Sequence, residues 1–484
     1  MKKRKVNILN TPSLDEARKR SIGIAPLIYA DIKVSPLVRE FARGKKYYLR
    51  TYGCQANVRD SETLMGLLEE AGFVQSDNYN DAHVIILNTC AIRENAETKV
   101  FGEIGSLKAI KRNNPDAIIA LGGCMSQQEV VVDEIIKKYP QVDLVFGTHN
   151  LSFLLEYIDE ILKKRERLVS VASITGEVIE NLPAVRMDKY KAYVNIIYGC
   201  DKFCSYCIVP YTRGRERSRL PEHIIEECQS LIDQGYQEIT LLGQNVNAYG
   251  KDLGNEYTFA DLLDEVAKLG IPRLRFVTSH PWDFSDEMIE VIAKHKNIMN
   301  YIHLPLQSGS NEILRKMGRR YTVEAYLNLV SKIRKHLPNV SLSTDIIVGF
   351  PNETEAQFEE TLEVIKQVGF DSAFTFIYSA RAGTPAAKLD DDVSKEEKHR
   401  RFNKLTKTLE VSIEKSSESM VGKTYDVLVD SISKRDDNML SGYTEGSKLV
   451  HFPGDESLIG EIIPIKIIES KTYSLRGEID ESPL

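Results

Sequence analysis

Three cysteines follow an apolar run in Tyr193-Val-Asn-Ile-Ile-Tyr-Gly-Cys200-Asp-Lys-Phe-Cys204-Ser-Tyr-Cys207. A Cys-x3-Cys-x2-Cys spacing lets one short loop fold around a cubane iron–sulfur cluster and aim three thiolates at three of its irons. The fourth iron then has no protein ligand, and an open iron can take a small molecule through two donor atoms. Tyr206, just before the third cysteine, suits a purine carried by such a molecule. The competing readings are a zinc knuckle and a disulfide loop, but structural zinc takes four protein ligands.

Three further cysteines are far apart in the chain yet alike in setting. They end the runs Tyr47-Tyr-Leu-Arg-Thr-Tyr-Gly-Cys54, His83-Val-Ile-Ile-Leu-Asn-Thr-Cys90 and Ala117-Ile-Ile-Ala-Leu-Gly-Gly-Cys124. Each run reads as a strand, with a helix over 59–71 after the first. Strand alternating with helix implies a parallel sheet with right-handed crossovers, whose carboxyl-terminal strand ends share one edge where ligands collect. The three thiols are therefore expected to converge. A lone buried cysteine is commonly just a small apolar residue; three at equivalent strand ends argue for a metal site, again with one open iron. Gln55, Asn57, Asn88 and Thr89 could hydrogen-bond the sulfurs and tune the cluster.

The elements that must position these groups form two alternating series. The second starts near Tyr190, with strand ends at Cys200, Asn245, His280, Gln307, Gly349 and Ser379 and helical patterns over 221–234, 259–269, 285–295, 323–336 and 355–368. Six strand–helix units predict an open, partial (β/α)6 barrel of the TIM type, with its active-site groups on the carboxyl face. Polar clusters fall there: Gly243-Gln244-Asn245, Ser279-His280, Gln307-Ser308-Gly309-Ser310, and Asp345 with Gly349-Phe350-Pro351. Gly243, Gly309 and Gly349 let the backbone approach a ligand closely, though any tight turn would use glycine too.

After the cysteine loop, Arg213, Arg215, Arg217 and Arg219 alternate. In an extended segment this period puts the guanidiniums on one side, where their forks suit phosphates. All four are candidates for RNA contact, Arg213 at the active site itself. For the other three an ion-paired loop is the equal alternative.

The whole chain reads as α/β. Residues 1–45 form a mobile or loosely docked extension, 46–160 the first parallel α/β domain, 161–189 a linker, 190–416 the partial barrel and 420–484 a C-terminal domain. The basic run Lys163-Lys-Arg-Glu-Arg167 reads as a solvated helix end. From about Val421, short strands and turns suggest a small five-stranded barrel of a kind that binds RNA, or one that solubilises or dimerises. Tyr443, Lys448, Phe452, Lys466 and Lys471 are its candidate RNA contacts. The net charge of −7 argues against a nucleic-acid-coating protein without excluding local basic patches. No apolar run is long enough to span a bilayer, and the basic start lacks the apolar core of a signal peptide, so the cytoplasm is the default. There seven cysteines favour metal over disulfide.

With all three regions read, residues 46–480 resemble the MiaB-type tRNA methylthiotransferases of the radical S-adenosylmethionine superfamily. The resemblance lies in Thr51-Tyr-Gly-Cys-Gln55, Leu87-Asn-Thr-Cys-Ala-Ile-Arg93, Gly122-Gly-Cys124, Cys204-Ser-Tyr-Cys-Ile-Val-Pro-Tyr-Thr-Arg-Gly214, Leu241-Leu-Gly-Gln-Asn-Val-Asn247, Asp345-Ile-Ile-Val-Gly-Phe-Pro351 and Ser379-Ala-Arg-Ala-Gly-Thr-Pro385. It implies two [4Fe-4S] clusters, one on Cys200, Cys204 and Cys207 that chelates S-adenosylmethionine, the other on Cys54, Cys90 and Cys124. It further implies a methylthio group added to C2 of isopentenyladenosine beside the anticodon of tRNA, with one cofactor molecule methylating an auxiliary sulfur and a second yielding the deoxyadenosyl radical. Tyr206, Gly243, Gln244, Asn245, Ser279, Gln307, Asp345 and Gly349 are the expected cofactor contacts. A TRAM domain, a flavodoxin or ferredoxin as electron donor, and a monomer with no membrane partner complete the expectation. Threonylcarbamoyladenosine of tRNA is the second candidate substrate, a ribosomal-protein aspartate the third; outside the class stands a non-catalytic zinc RNA-binding protein. Ala56, Ala382 and Tyr443 depart from the family's usual Met, Pro and Arg.

Overall fold

Strands Val84–Thr89 and Ile118–Gly123 are buried at every position, as central strands covered on both faces must be. In the computed structural model they are the middle of a seven-stranded, wholly parallel sheet. Its order is Val6–Asn10, Arg167–Ser170, Leu144–Phe146, Ile118–Gly123, Val84–Thr89, Lys46–Thr51 and Val74–Gln75. Alternate side chains feed two cores: Val84, Ile86, Ile118 and Ala120 one, Ile85, Leu87, Ile119 and Leu121 the other. Thr51 pairs with Asn88, and Thr89 with Gly123, so three strands end level and the chain leaves each toward a cysteine. The structure describes residues 4–18, 27–91, 94–173, 178–254, 256–434 and 436–481. Ile92 and Arg93 of the second motif lie outside these, as do 1–3 and 19–26 of the extension.

Two boundaries differ from the sequence expectation. Residues 1–45 are not merely a loose extension: Val6–Asn10 is an edge strand of the sheet, Leu27–Tyr29 pairs with Val178–Glu180, and helix Pro36–Ala42, capped by Ser35, buries Val38 and Ala42. A five-residue edge strand whose partner lies some 160 residues away has no local signature. The proposed linker 161–189 likewise contributes Arg167–Ser170 to the sheet. Arg167, expected in solvent, is buried and donates to the carbonyls of Val142, Ile135, Ile136 and Tyr139, the last three closing the end of helix Glu129–Lys138.

The second unit has six parallel strands in two groups of three, Lys191–Asn195, Glu238–Leu242 and Arg273–Phe276, then Tyr301–His303, Ser341–Val348 and Ser372–Ile377. A bridge from Leu274 to Ile298 joins them into an open barrel around one large core. Helix Lys395–Glu418, which the sequence reading did not single out, packs on the last strand and leads to a closed barrel of Thr424–Ser433, Asp436–Thr444, Leu449–Pro453, Ile462–Ser470 and Leu475–Ile479. This small barrel sits against the amino-terminal ends of the six strands. Arg273 donates to the carbonyls of Tyr443 (2.8 Å) and Asp426 (2.7 Å), Lys191 pairs with Asp430, and Lys448 Nζ donates to the Asp371 carbonyl (2.9 Å). Because the strands are parallel, it closes the end of the partial barrel opposite the cysteines.

Candidate active site at the domain seam

Cys200, Cys204 and Cys207 lie on a loop pinned before any ligand arrives. Gly199 adopts φ +77°, and a Cβ there would lie 1.9 Å from the Arg215 carbonyl oxygen, so only glycine fits. Its N–H donates to Gln244 Oε1, and the Cys200 N–H to the Gly214 carbonyl at 3.1 Å. Ser205 donates through its N–H to the Met317 carbonyl and through Oγ to the Lys316 carbonyl, both at 2.8 Å, while its own carbonyl accepts from Ala386. Arg319, which sequence reasoning missed, is buried and aims Nη1 at Cys204 Sγ, 3.5 Å away. No motif spacing marks it; only the fold brings it there.

The loop forms one wall of a cavity of about 290 Å³ at the carboxyl ends of the barrel strands. All three cysteines line it, with Tyr206, Gln244, Ser279, Gln307 and Asp345. Ser279 Oγ and Gln307 Oε1 are buried there with no hydrogen-bond partner among the described residues, and Gln307 holds a left-handed φ of +71°. Buried polar atoms without partners are costly, so their presence fits a polar ligand. The donor set fits a cluster as well. Burial pushes the Cys207 thiol up to about 12 and Cys200 well above the ordinary thiol value, so a thiolate here needs a bound cation to sustain it.

The glycines of this face behave differently from expectation. Gly243 backs on Ile197, Gly309 on the backbone of Thr361, and Gly349 on the stem of Lys398. They allow protein to meet protein, and Gly243 and Gly349 do not line the cavity. Neither does Asn245, whose Nδ2 instead donates to Glu216 and Asp283 at 3.0 Å each.

The other trio faces the same region from the sheet. Cys54 is the N-cap of helix Gln55–Ala71; Cys90 and Cys124 are buried. Burial raises the Cys124 thiol to about 12, with Arg213 opposing and Cys90 and Cys54 adding to the rise, so the three thiols feel one another. Asn57 accepts from Cys54 Sγ at 3.5 Å. Asn88 and Thr89 act elsewhere, bonding the carbonyls of Asn57 and Gly122 to lock the strand ends, and Gln55 is exposed.

Both trios meet a shared seam. Ile208 and Tyr211, just after Cys207, cluster with Ala91 and Cys124. Arg213 crosses the seam, donating through Nε to Cys124 Sγ (3.1 Å) and through Nη2 to Asp60 (2.5 Å).

The alternating arginines do not share one outward face. The strand Arg217–Ser218 is only two residues long, and Arg213 before it and Arg219 after it are buried. Arg217 is buried against the Tyr198 ring, and burial lowers its guanidinium to about 10. Arg219 is buried among Glu180, Glu227 and the Asn195 carbonyl. Arg219 is thus ion-paired internally, and Arg217 donates internally to the Arg213 and Arg215 carbonyls; Arg215 is half-buried. In the small barrel, Lys448 is consumed internally and Phe452 is fully buried, while Tyr443 faces the barrel base under Lys191 (5.6 Å). Lys466 and Lys471 are exposed.

Residues 46–147 match Uncharacterized protein family UPF0004, residues 194–365 the Radical SAM superfamily, and residues 418–479 the TRAM domain. The tRNA-2-methylthio-N(6)-dimethylallyladenosine synthase of Staphylococcus haemolyticus (strain JCSC1435) is 52% identical over 483 residues, covering 99% of this chain and 94% of that protein. The enzyme of the same description from Bacillus subtilis (strain 168) is 54% identical over 469 residues, covering 97% and 92%. Among solved structures, the radical S-adenosylmethionine methyltransferase TsrM from Kitasatospora setae, with tryptophan substrate and a SAM analog bound, superposes with a TM-score of 0.52 at 16% identity over 71% of this chain and 75% of that one, a likeness of fold. Sequence, cysteine geometry and domain order agree, and the chain belongs to the tRNA-2-methylthio-N6-dimethylallyladenosine synthase family of the radical SAM superfamily.

Proposed function

We propose that this chain adds a methylthio group to C2 of N6-isopentenyladenosine at position 37 of tRNA. The observation that carries the reading is the meeting of two cysteine trios at one seam, in a chain of this family. C2 of adenine bears an unactivated C–H bond, out of reach of acid–base chemistry at neutral pH, so the reaction needs both a radical and a sulfur source. When bound, a [4Fe-4S] cluster on Cys200, Cys204 and Cys207 with S-adenosylmethionine supplies the radical, and a second cluster on Cys54, Cys90 and Cys124 supplies the sulfur.

The protein's own groups then bind and orient. Tyr206, Gln244 and Asp345 shape the cofactor cavity, and Ser279 Oγ and Gln307 Oε1 give it polar partners. Arg319 and Arg213 set positive charge beside Cys204 and Cys124. Lys466 and Lys471, on the outside of the TRAM barrel, and Arg215 are the remaining candidates for tRNA phosphates. The chain works as a monomer in the cytoplasm with a one-electron donor such as flavodoxin or ferredoxin. Among the described residues no helix is long and apolar enough to cross a membrane.

Nucleoside mass spectrometry of tRNA from a strain lacking the gene tests this. The 2-methylthio-N6-isopentenyladenosine should disappear and N6-isopentenyladenosine accumulate, with complementation restoring the product; an unchanged nucleoside profile overturns the reading. Iron with acid-labile sulfide is expected in anaerobically purified protein, and zinc without sulfide would rule out the enzyme.

A further inference from the structure

Trp282 is the only tryptophan of the chain and is 45% exposed, on the turn Pro281–Asp283 beyond the third barrel strand. Two cations lie against its ring: Lys202 Nζ, 4.7 Å from the centroid, and the Arg320 guanidinium, 5.2 Å away. Both adjoin the cofactor site in sequence. Lys202 sits between Cys200 and Cys204 and lines the cavity; Arg320 follows Arg319, which faces Cys204. His280, 6.5 Å ring to ring from Trp282, also lines the cavity, whereas Trp282 does not. Phe203, 41% exposed, is next to Lys202 on the same loop.

A large aromatic left half in water adds little to packing. Beside two cations, at the mouth of a site for an RNA base, it matches the recognition of unpaired RNA, in which bases stack on aromatic faces and cations meet phosphates. We infer that Trp282 is a stacking platform for an unpaired nucleobase flanking the reacting adenosine, an inference that rests on the tRNA reading above. Lys202 is held by Asp283 (2.5 Å) and keeps its place beside the ring. Arg320 is exposed, and its long side chain moves from the ring to the adjoining phosphate as the base takes over the face.

A single indole makes the test direct. Holoenzyme is titrated with an anticodon stem-loop RNA containing N6-isopentenyladenosine, and indole emission and its accessibility to acrylamide are followed beside the anisotropy of labelled RNA. The expected result is saturable quenching and protection at the midpoint of the anisotropy change. Binding by anisotropy with an unaltered indole overturns the platform and leaves the tRNA reading standing; RNA that is neither bound nor methylthiolated overturns both. Trp282→Ala should raise KM for the RNA about tenfold or more, and Trp282→Phe should recover most of that loss. A loss confined to kcat, or matched by an equal loss of cofactor cleavage without RNA, would make Trp282 a clasp for the cysteine loop and overturn the inference.

Discussion

Arg213 of the barrel unit donates to Cys124 of the sheet unit across 3.1 Å, 89 residues apart in sequence, while its other arm holds Asp60. Burial opposes the charge of the guanidinium, and Asp60 and Cys124 outweigh it, so Arg213 stays protonated at any working pH. It is at once an interdomain strut and the polar neighbour of the Cys124 sulfur. Arg213→Ala strands Asp60 in the interior and should lower unfolding free energy by about 3–5 kcal/mol in chemical denaturation. The double variant with Asp60→Ala should lose less than the two single losses combined, and additive losses would show that the two groups do not couple.

The two trios should separate by function. Cys204→Ala is expected to abolish formation of deoxyadenosine, measured by liquid chromatography after anaerobic reduction with S-adenosylmethionine. Cys90→Ala should still cleave the cofactor yet yield no methylthio nucleoside. Product at normal yield from Cys90→Ala would contradict a sulfur-supplying role.

Glu227 gathers Arg219 (2.6 Å), Arg186 (2.6 Å) and Arg59 (3.4 Å), the last on helix Gln55–Ala71 of the sheet unit. Burial alone would raise this carboxyl, but the arginines, Arg219 foremost, hold it at about 2. A lowered carboxylate stabilises the fold fully above its ordinary value of 4.5 and loses that contribution as pH falls toward 2. Glu227→Gln should therefore be less stable at pH 7 by about 3–5 kcal/mol. The gap to the wild type, read from urea unfolding at a series of pH values, should narrow below about pH 4.5. A gap constant down to pH 3 would contradict the assignment.

Lys448 and Lys471 should behave oppositely. Lys448 bonds the Asp371 carbonyl and Ser417 Oγ under the barrel, so Lys448→Ala should cost about 1–3 kcal/mol of stability and leave KM for tRNA unchanged. Lys471→Ala should leave the melting curve alone, weaken tRNA binding and reduce its salt slope by about one. The reverse pattern would return Lys448 to the RNA surface.

Much of the site was legible because its chemistry is local. The loop Cys200 to Cys207 needs only a short-range spacing, and the level ends at Cys54, Cys90 and Cys124 follow from the direction of parallel strands. Arg217, Arg219 and Lys448 were not legible for the converse reason: a charged side chain in a loop has the same sequence signature whether it meets phosphate or buried protein groups, and the fold alone selects the Tyr198 ring for Arg217, Glu180 and Glu227 for Arg219, and the Asp371 carbonyl for Lys448.

The sequence by itself determined the order of units, the period of each and the two cysteine trios, since these depend on residue type and spacing along one segment. Only the tertiary structure decided that Arg319 faces Cys204, that Arg213 spans the seam, that Trp282 stands at the rim, and that the TRAM barrel closes the base away from the cysteines. Each of these is a contact between segments distant in sequence, set by how sheets and helices pack against one another, and no local pattern encodes which buried charge will find which partner.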